Sequence, residues 1–250
     1  MWIKTIVLYA VLISNLLIAG DLKVALAANI GYAIDDIKKE FHTKYPNINL
    51  KITLGGSGKL FAQIQHGAPY DIFLSANMAY PNKLYKEHIA ITKPKIYAQG
   101  ALALFSTKPL DFTKNLNLLT QNEIDKIAIA NPKTAPYGKA AVEALKNSGL
   151  YPKIKHKFIY GESISQTVIY TLHAADIGIV AKSALFSPKM TRFSKDKNWI
   201  DIDSKLYTPI DQGIVILKNA KDNQDAKVFY DFMLSKQVKT ILAKFGYIVK

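Results

Sequence analysis

A serine set among glycines, Gly55-Gly56-Ser57-Gly58-Lys59-Leu60, is the first run in this chain whose residue types suit chemistry. A phosphate loop would need glycine where Thr53 stands and serine or threonine where Leu60 stands. A nucleophile elbow would need glycine in place of Lys59. Neither pattern is complete. What remains is simpler. Glycines on both sides of Ser57 let backbone come close to an anion, and a helix starting near Leu60 turns its free N-terminal amides, the positive end of its dipole, toward that point.

Three more loops share this geometry. Asn29 follows an apolar run and opens a helical pattern; its side chain either caps that helix or donates an amide hydrogen to a ligand. Ala135-Pro136-Tyr137-Gly138 leads into a helix with proline early, so the amides beyond it stay free. Tyr160-Gly161-Glu162-Ser163-Ile164 does the same. Four helix starts converging on one cleft would trap an anion without any buried cation. Other chemistry finds little support. The five histidines have no metal-ligand spacing, no HExxH pattern occurs, and Asp201 and Asp203 read as solvated.

The elements that must position these loops alternate. Leu22–Ala27 reads as a buried strand, and Ile30, Ala33, Ile34, Ile37 and Phe41 as one helix face. Strands follow at Ile48–Leu54 and Asp71–Leu74, separated by a helix with Leu60, Phe61 and Ile64 on its apolar face, and Asn77 is placed to cap the next helix. The apolar run Ile96–Phe105 is a crossing between lobes. A second set repeats the scheme: strands at Ile127–Ala130, Lys157–Tyr160 and Ile177–Val180, helices at Gly138–Lys146, ended by Gly149, and Ser163–His173. Ile210–Leu217 is a returning strand, and Asp225–Phe245 supplies one or two terminal helices. The fold class is therefore α/β in two lobes, each a mixed sheet flanked by helices, with ligand in the cleft between them. The division expected is 21–97 with 211–250 for the first lobe and 98–210 for the second.

Composition is that of a globular protein, 49% hydrophobic and 21% charged over 250 residues. The first twenty residues stand apart: Lys4 gives a positive start, Thr5–Ala19 is apolar and uncharged, and small residues sit near Ala19/Gly20. This is the layout of a cleaved secretory signal over residues 1–20. The chain has no cysteine, which removes lipid acylation, disulfides and thiolate metal sites. The net charge of +14 comes from 33 basic residues of which only Arg192 is not lysine. Lysines spread along the chain make a basic surface that steers anions; nucleic-acid readers lean on arginine instead.

Taken in order, the mature chain resembles the molybdate-binding family of type II periplasmic binding proteins. The segments that carry the resemblance are Val24–Ile37, Gly55–Ile64, Gly67–Ala76 (GAPYDIFLSA, the most discriminating), Ala130–Leu145, Gly178-Ile179-Val180 and the tail Phe229–Lys250. The resemblance implies a two-lobed oxyanion binder of the periplasm. It would act as a monomer, holding molybdate or tungstate and passing it to an ABC transporter permease, with no catalysis, no cofactor, no nucleic acid and no direct metal–protein bond. It also implies the site. The family's first serine falls on Asn29, its second on Ser57, one backbone amide on Tyr137 and another on Ile164. A tyrosine that some members place after the Gly-Ile-Val strand falls on Ala181, which carries no donor; Tyr207 is a candidate replacement. Molybdate against tungstate is left open by these residues.

A fully deprotonated tetrahedral dianion only accepts hydrogen bonds, so a donor-only pocket suits it, and a smaller anion such as sulfate would not reach donors on both lobes. Three alternatives carry distinct tests. A sulfate or other oxyanion carrier would be stabilised by sulfate as much as by molybdate. A serine hydrolase using Ser57 would turn over esters. An envelope interaction protein would show no ligand-induced stabilisation.

Overall fold

Residues 21–249 are described by the structure, a computed structural model of the chain. The signal segment expected over residues 1–20 lies outside the described residues. Two five-stranded mixed sheets form the two lobes. The first has the order β2-β1-β3-β10-β4, from β1 (Asp21–Ala27), β2 (Asn49–Gly55), β3 (Ile72–Ser75), β4 (Lys95–Gly100) and β10 (Ile210–Ile216). The second has the order β7-β6-β8-β5-β9, from β5 (Leu102–Phe105), β6 (Ile127–Ala130), β7 (Phe158–Gly161), β8 (Ile177–Ala181) and β9 (Trp199–Asp201).

The apolar strands β3, β6 and β8 are buried at every residue, as strands covered on both faces must be. β2 is an edge strand and half exposed. β1 and β2 run parallel, as do β6 and β7. The C-terminal ends of these four strands are where a ligand site belongs in a sheet of this kind. The chain leaves the first sheet at Ala101, between β4 and β5, and returns through β10, whose Ile210 lies opposite Gly100. The two crossings thus lie side by side.

Helices α1 (Ile34–Lys44), α2 (Ser57–Gln65) and α3 (Ala79–Lys86) flank the first sheet's early strands, and α4 (Pro136–Asn147) and α6 (Ile164–His173) the second sheet. A short α5 (Tyr151–Ile154) lies between them in sequence, and α7 (Gln224–Met233) and α8 (Lys236–Lys244) close the chain. α1 presents Ile34, Ile37 and Phe41 to the core, with Asp35 and Asp36 at its positive end and Lys44 at its negative end. Phe41 meets Phe229 and Phe232 of α7 edge-on, at ring separations of 5.1 and 5.0 Å, which fastens the C-terminal helices to the first lobe. α4 ends as its glycine predicts. Gly149, at φ 73°, donates to Lys146 O and Leu150 donates to Leu145 O, a Schellman pair closed by buried leucines.

The sequence pattern differs from the structure in three places. The single helix expected from Ile30 is divided: a 3-10 turn over Ala28–Tyr32 precedes α1, because Asn29 is drawn into buried polar contacts described below. α2 starts at Ser57 rather than Leu60, since Ser-Gly-Lys carries no apolar periodicity to reveal a first turn. β9 was not anticipated; it pairs with β5, and its Asp201 is held by Lys182 and Lys195 at 2.7 and 3.1 Å. Burial pushes the Asp201 carboxyl up, and these two lysines outweigh it, so it titrates below its ordinary range. Asn77 does serve near a helix start, its Oδ1 accepting from Tyr80 N at 3.1 Å. No helix among the described residues is long and apolar enough to cross a membrane.

Candidate functional site

Asn29, Ser57, Tyr137 and Ile164 line one cavity between the lobes, together with Ala28, Gly56, Ala76, Ala135 and Pro136. The space is small, about 200 Å³ including its opening to solvent. Each of the four stands just beyond a strand, after β1, β2, β6 and β7 in turn, and three of them open helices α2, α4 and α6. No charged side chain is part of the lining. Ala181 is not part of it; it is the last residue of β8, fully buried opposite Leu102. Tyr207 is not part of it either: it sits in the second lobe's core, where its hydroxyl accepts from Leu102 N at 3.1 Å.

Ser57 is buried, and its Oγ accepts a hydrogen bond from Ala76 N at 3.0 Å. With that lone pair used, the hydroxyl's own hydrogen is free to be donated. As the first residue of α2, Ser57 also has a backbone N–H without an intrahelical acceptor. The next amide is not free: Gly58 N donates to Thr134 O of the opposite lobe at 3.1 Å. A Cβ on Gly58 would lie 2.6 Å from that carbonyl, and one on Gly56 would lie 3.0 Å from Glu162 O. The glycines around Ser57 therefore make room for the other lobe, which sequence alone had assigned to an anion.

Tyr137 follows Pro136 at the start of α4, so its amide is among the free ones. Ile164 is the first residue of α6, whose cap is complete without it. Ser163 Oγ accepts from Gln166 N at 3.2 Å, and Gln166 Oε1 accepts from Glu162 N at 2.6 Å, a variant of the capping box. The Ile164 amide, at the first position of the helix, has no intrahelical acceptor, and the residue lines the cavity.

Asn29 behaves unlike either expectation. It makes no side-chain cap. Both of its amide hydrogens are engaged, on Gln212 Oε1 and on Tyr247 Oη, each at 2.9 Å. The orientation is dictated by Tyr247, whose single hydrogen goes to Asn29 O at 3.0 Å, so that its oxygen can only accept from the side chain. Asn29 Oδ1 is buried with no hydrogen-bond partner among the described residues. What Asn29 has to offer an anion is its backbone N–H, near the start of the 3-10 turn. The network extends to Tyr97, which donates to Gln212 Oε1 at 2.7 Å, and to Tyr137, whose hydroxyl accepts from Gln212 Nε2 at 3.0 Å.

Sequence reasoning missed Gln212, Tyr97 and Tyr247 because each meets Asn29 or its partners across more than 100 residues of chain. One signal was available: a glutamine that shares a strand face with Ile210 and Ile214 must be buried with partners.

Burial pushes the hydroxyls of Tyr97, Tyr137 and Tyr247 above the ordinary tyrosine range. They stay protonated at neutral pH, and no carboxylate, lysine or histidine is part of the lining. Anion affinity is accordingly expected to be flat between about pH 6 and 9, measured by titration calorimetry. On the alkaline side, stability should fall as pH rises past the ordinary tyrosine value of about 10, where the unfolded chain ionises and the folded one does not. A tenfold change in affinity inside that window would reveal a titrating group at the site.

Further hydrogen bonds hold the lobes together around the cavity. Ser165 Oγ of α6 donates to Ala28 O at 3.0 Å, and Ser183 Oγ, just after β8, donates to Asn29 O at 3.3 Å. The serine-nucleophile geometry is missing among the described residues: no histidine bonds Ser57, and all five histidines are exposed. Nor is there a metal-binding group of three histidine or acidic residues among them.

Comparison with known proteins agrees with this architecture. The family model described as bacterial extracellular solute-binding protein matches residues 22–248. The molybdate-binding protein ModA of Azotobacter vinelandii is 35% identical over 92% of this chain and 90% of its own length. ModA of Rhodobacter capsulatus is 32% identical over 93% and 90%. The solved periplasmic molybdate-binding protein of Azotobacter vinelandii superimposes with a TM-score of 0.84 at 30% identity, covering 92% of this chain and 99% of that one. With a two-lobed fold, a cavity between the lobes and similarity along nearly its whole described length, the chain belongs to the bacterial extracellular solute-binding protein family, among relatives named for binding molybdate.

Proposed function

We propose that this protein captures molybdate or tungstate in the periplasm, as a monomer, and hands it to the permease of an ABC importer. The observation that supports it most is the small cavity lined from both lobes by Asn29, Ser57, Tyr137 and Ile164 without a charged group. In this reading Ser57 donates through its hydroxyl and its amide, and Asn29, Tyr137 and Ile164 donate through backbone amides. Ala181 contributes nothing. The metal stays inside its oxyanion, and the protein touches only its oxygens.

Neutral donors are sufficient in energy. A hydrogen bond to a charged partner contributes roughly 1.5–3 kcal/mol. The five donors named sum to about 7.5–15 kcal/mol, which against the low end of an association cost on the order of 4–15 kcal/mol leaves about −11 kcal/mol, on the order of 10 nM. Donors fixed on helix starts need no rearrangement to meet the anion, and no buried ion has to be desolvated beforehand.

The test is thermal. Molybdate or tungstate at about 100 times its dissociation constant should stabilise the protein by about 2.7 kcal/mol, a rise in Tm of roughly 5–10 °C for a chain of this size. Sulfate or phosphate at equal concentration should give a much smaller rise. Equal protection by sulfate would reassign the protein to a general oxyanion carrier, and no rise with any of them would remove the transport reading.

A further inference from the structure

We propose that Gln212 is a positioning residue that couples anion capture to closure of the lobes. The proposal rests on the oxyanion reading above and concerns a residue that does not line the cavity. Gln212 is fully buried on β10, two residues past Ile210, which lies opposite Gly100 at the foot of both crossings. The strand is irregular there, with a bulge between Gln212 and Gly213. One primary amide serves both lobes. Its Oε1 accepts from Asn29 Nδ2 at 2.9 Å and from Tyr97 Oη at 2.7 Å, all within the first lobe. Its Nε2 donates to Tyr137 Oη at 3.0 Å, on α4 of the second lobe.

Asn29 and Tyr137 are two of the residues that line the cavity, and Gln212 ties them together from behind. Anion oxygens drawn to the amides of Asn29 and Tyr137 pull the same two residues that Gln212 bridges. Opening the lobes stretches the bond to Tyr137 and leaves the bonds to Asn29 and Tyr97 intact. Only a group with both a donor and an acceptor end does this without charge; a carboxylate in its place would set a negative charge behind an anion site. Gly100 keeps the meeting point clear, because a Cβ there would collide with Tyr137 Oη and with Gln212 Nε2. Buried polar groups cost stability unless satisfied, and here three different elements satisfy one side chain.

Two conservative variants separate coupling from plain structural support. Tyr137→Phe keeps the ring and the backbone amide and deletes only the bond that crosses the lobes. Tyr97→Phe deletes a bond to the same glutamine inside one lobe. Dissociation of radiolabelled molybdate, chased with unlabelled molybdate, should accelerate about three- to tenfold in Tyr137→Phe, with the apo melting temperature near that of wild type. In Tyr97→Phe the dissociation rate should stay within about twofold of wild type while apo and bound forms both melt lower. An unchanged rate in Tyr137→Phe, or equal acceleration in the two variants, overturns the coupling role. Wild-type protein that retains no labelled molybdate would instead overturn the oxyanion reading, so the two failures are distinguishable.

Discussion

Gly58→Ala is expected to weaken molybdate binding about 100-fold while leaving the apo protein at least as stable as wild type. Gly58 is the second residue of α2, and its φ is not in the left-handed region, so alanine is acceptable to the backbone. Inside a helix, alanine is favoured over glycine by about 1 kcal/mol. The open form therefore gains from the change. The closed form loses, because the new methyl would stand 2.6 Å from Thr134 O, a backbone atom that cannot swing aside. Overpacking of this kind costs roughly 1–3 kcal/mol, and the bond from Gly58 N to Thr134 O, about 0.5–1.5 kcal/mol, goes with it. A sum on the order of 3 kcal/mol is about 100-fold in affinity. Calorimetry gives the affinity and a melting curve gives the stability. Affinity within threefold of wild type would mean that the lobe contact at Gly58 is not needed for the anion to bind.

Ser57→Ala should also weaken molybdate binding, by about 1–3 kcal/mol or roughly five- to 150-fold, with a different accompanying signature. Ser57 Oγ accepts from Ala76 N, so alanine leaves a buried amide without its acceptor. The apo protein should lose about 1–3 kcal/mol as well, which lowers Tm by several degrees, at roughly 2–4 °C per kcal/mol for a chain of this size. Calorimetry and melting curves on the two variants thus give opposite stability changes with the same direction in affinity. Unchanged affinity in Ser57→Ala would remove the serine from the site.

What was legible in the sequence was what is local. Strands such as Ile127–Ala130 and Ile177–Ala181 announce themselves by unbroken apolar runs, and Gly149 marks the end of α4 within three residues of its own position. The candidate site was legible for the same reason. A helix start following a strand is a short-range event, and three of the four loops need no distant partner to expose their amides. What the sequence hid is long-range. The Asn29 amide is oriented by residues 183 and 218 positions away, so its side-chain hydrogens are engaged within the protein. Glycines at 56 and 58 looked like room for a ligand because one chain segment cannot display the opposite lobe that fills the space. β9 is three residues long and pairs with β5, too short for alternation to reveal.

The resemblance placed a family tyrosine at Ala181, and neither Ala181 nor Tyr207 is part of the cavity lining. In the proposed site the donor set rests mainly on backbone. This makes the Gln212 network more consequential, since backbone amides are only as well aimed as the elements that carry them.

The central claim is that uncharged hydrogens from both lobes are enough to hold a large dianion selectively. Isothermal titration of residues 21–250 with molybdate, in parallel with sulfate at the same pH and salt, is the decisive measurement. The account predicts one site per chain with sub-micromolar molybdate affinity and sulfate at least about 100-fold weaker, a gap of about 2.8 kcal/mol. Sulfate binding as tightly as molybdate, or no heat from molybdate at all, would contradict it.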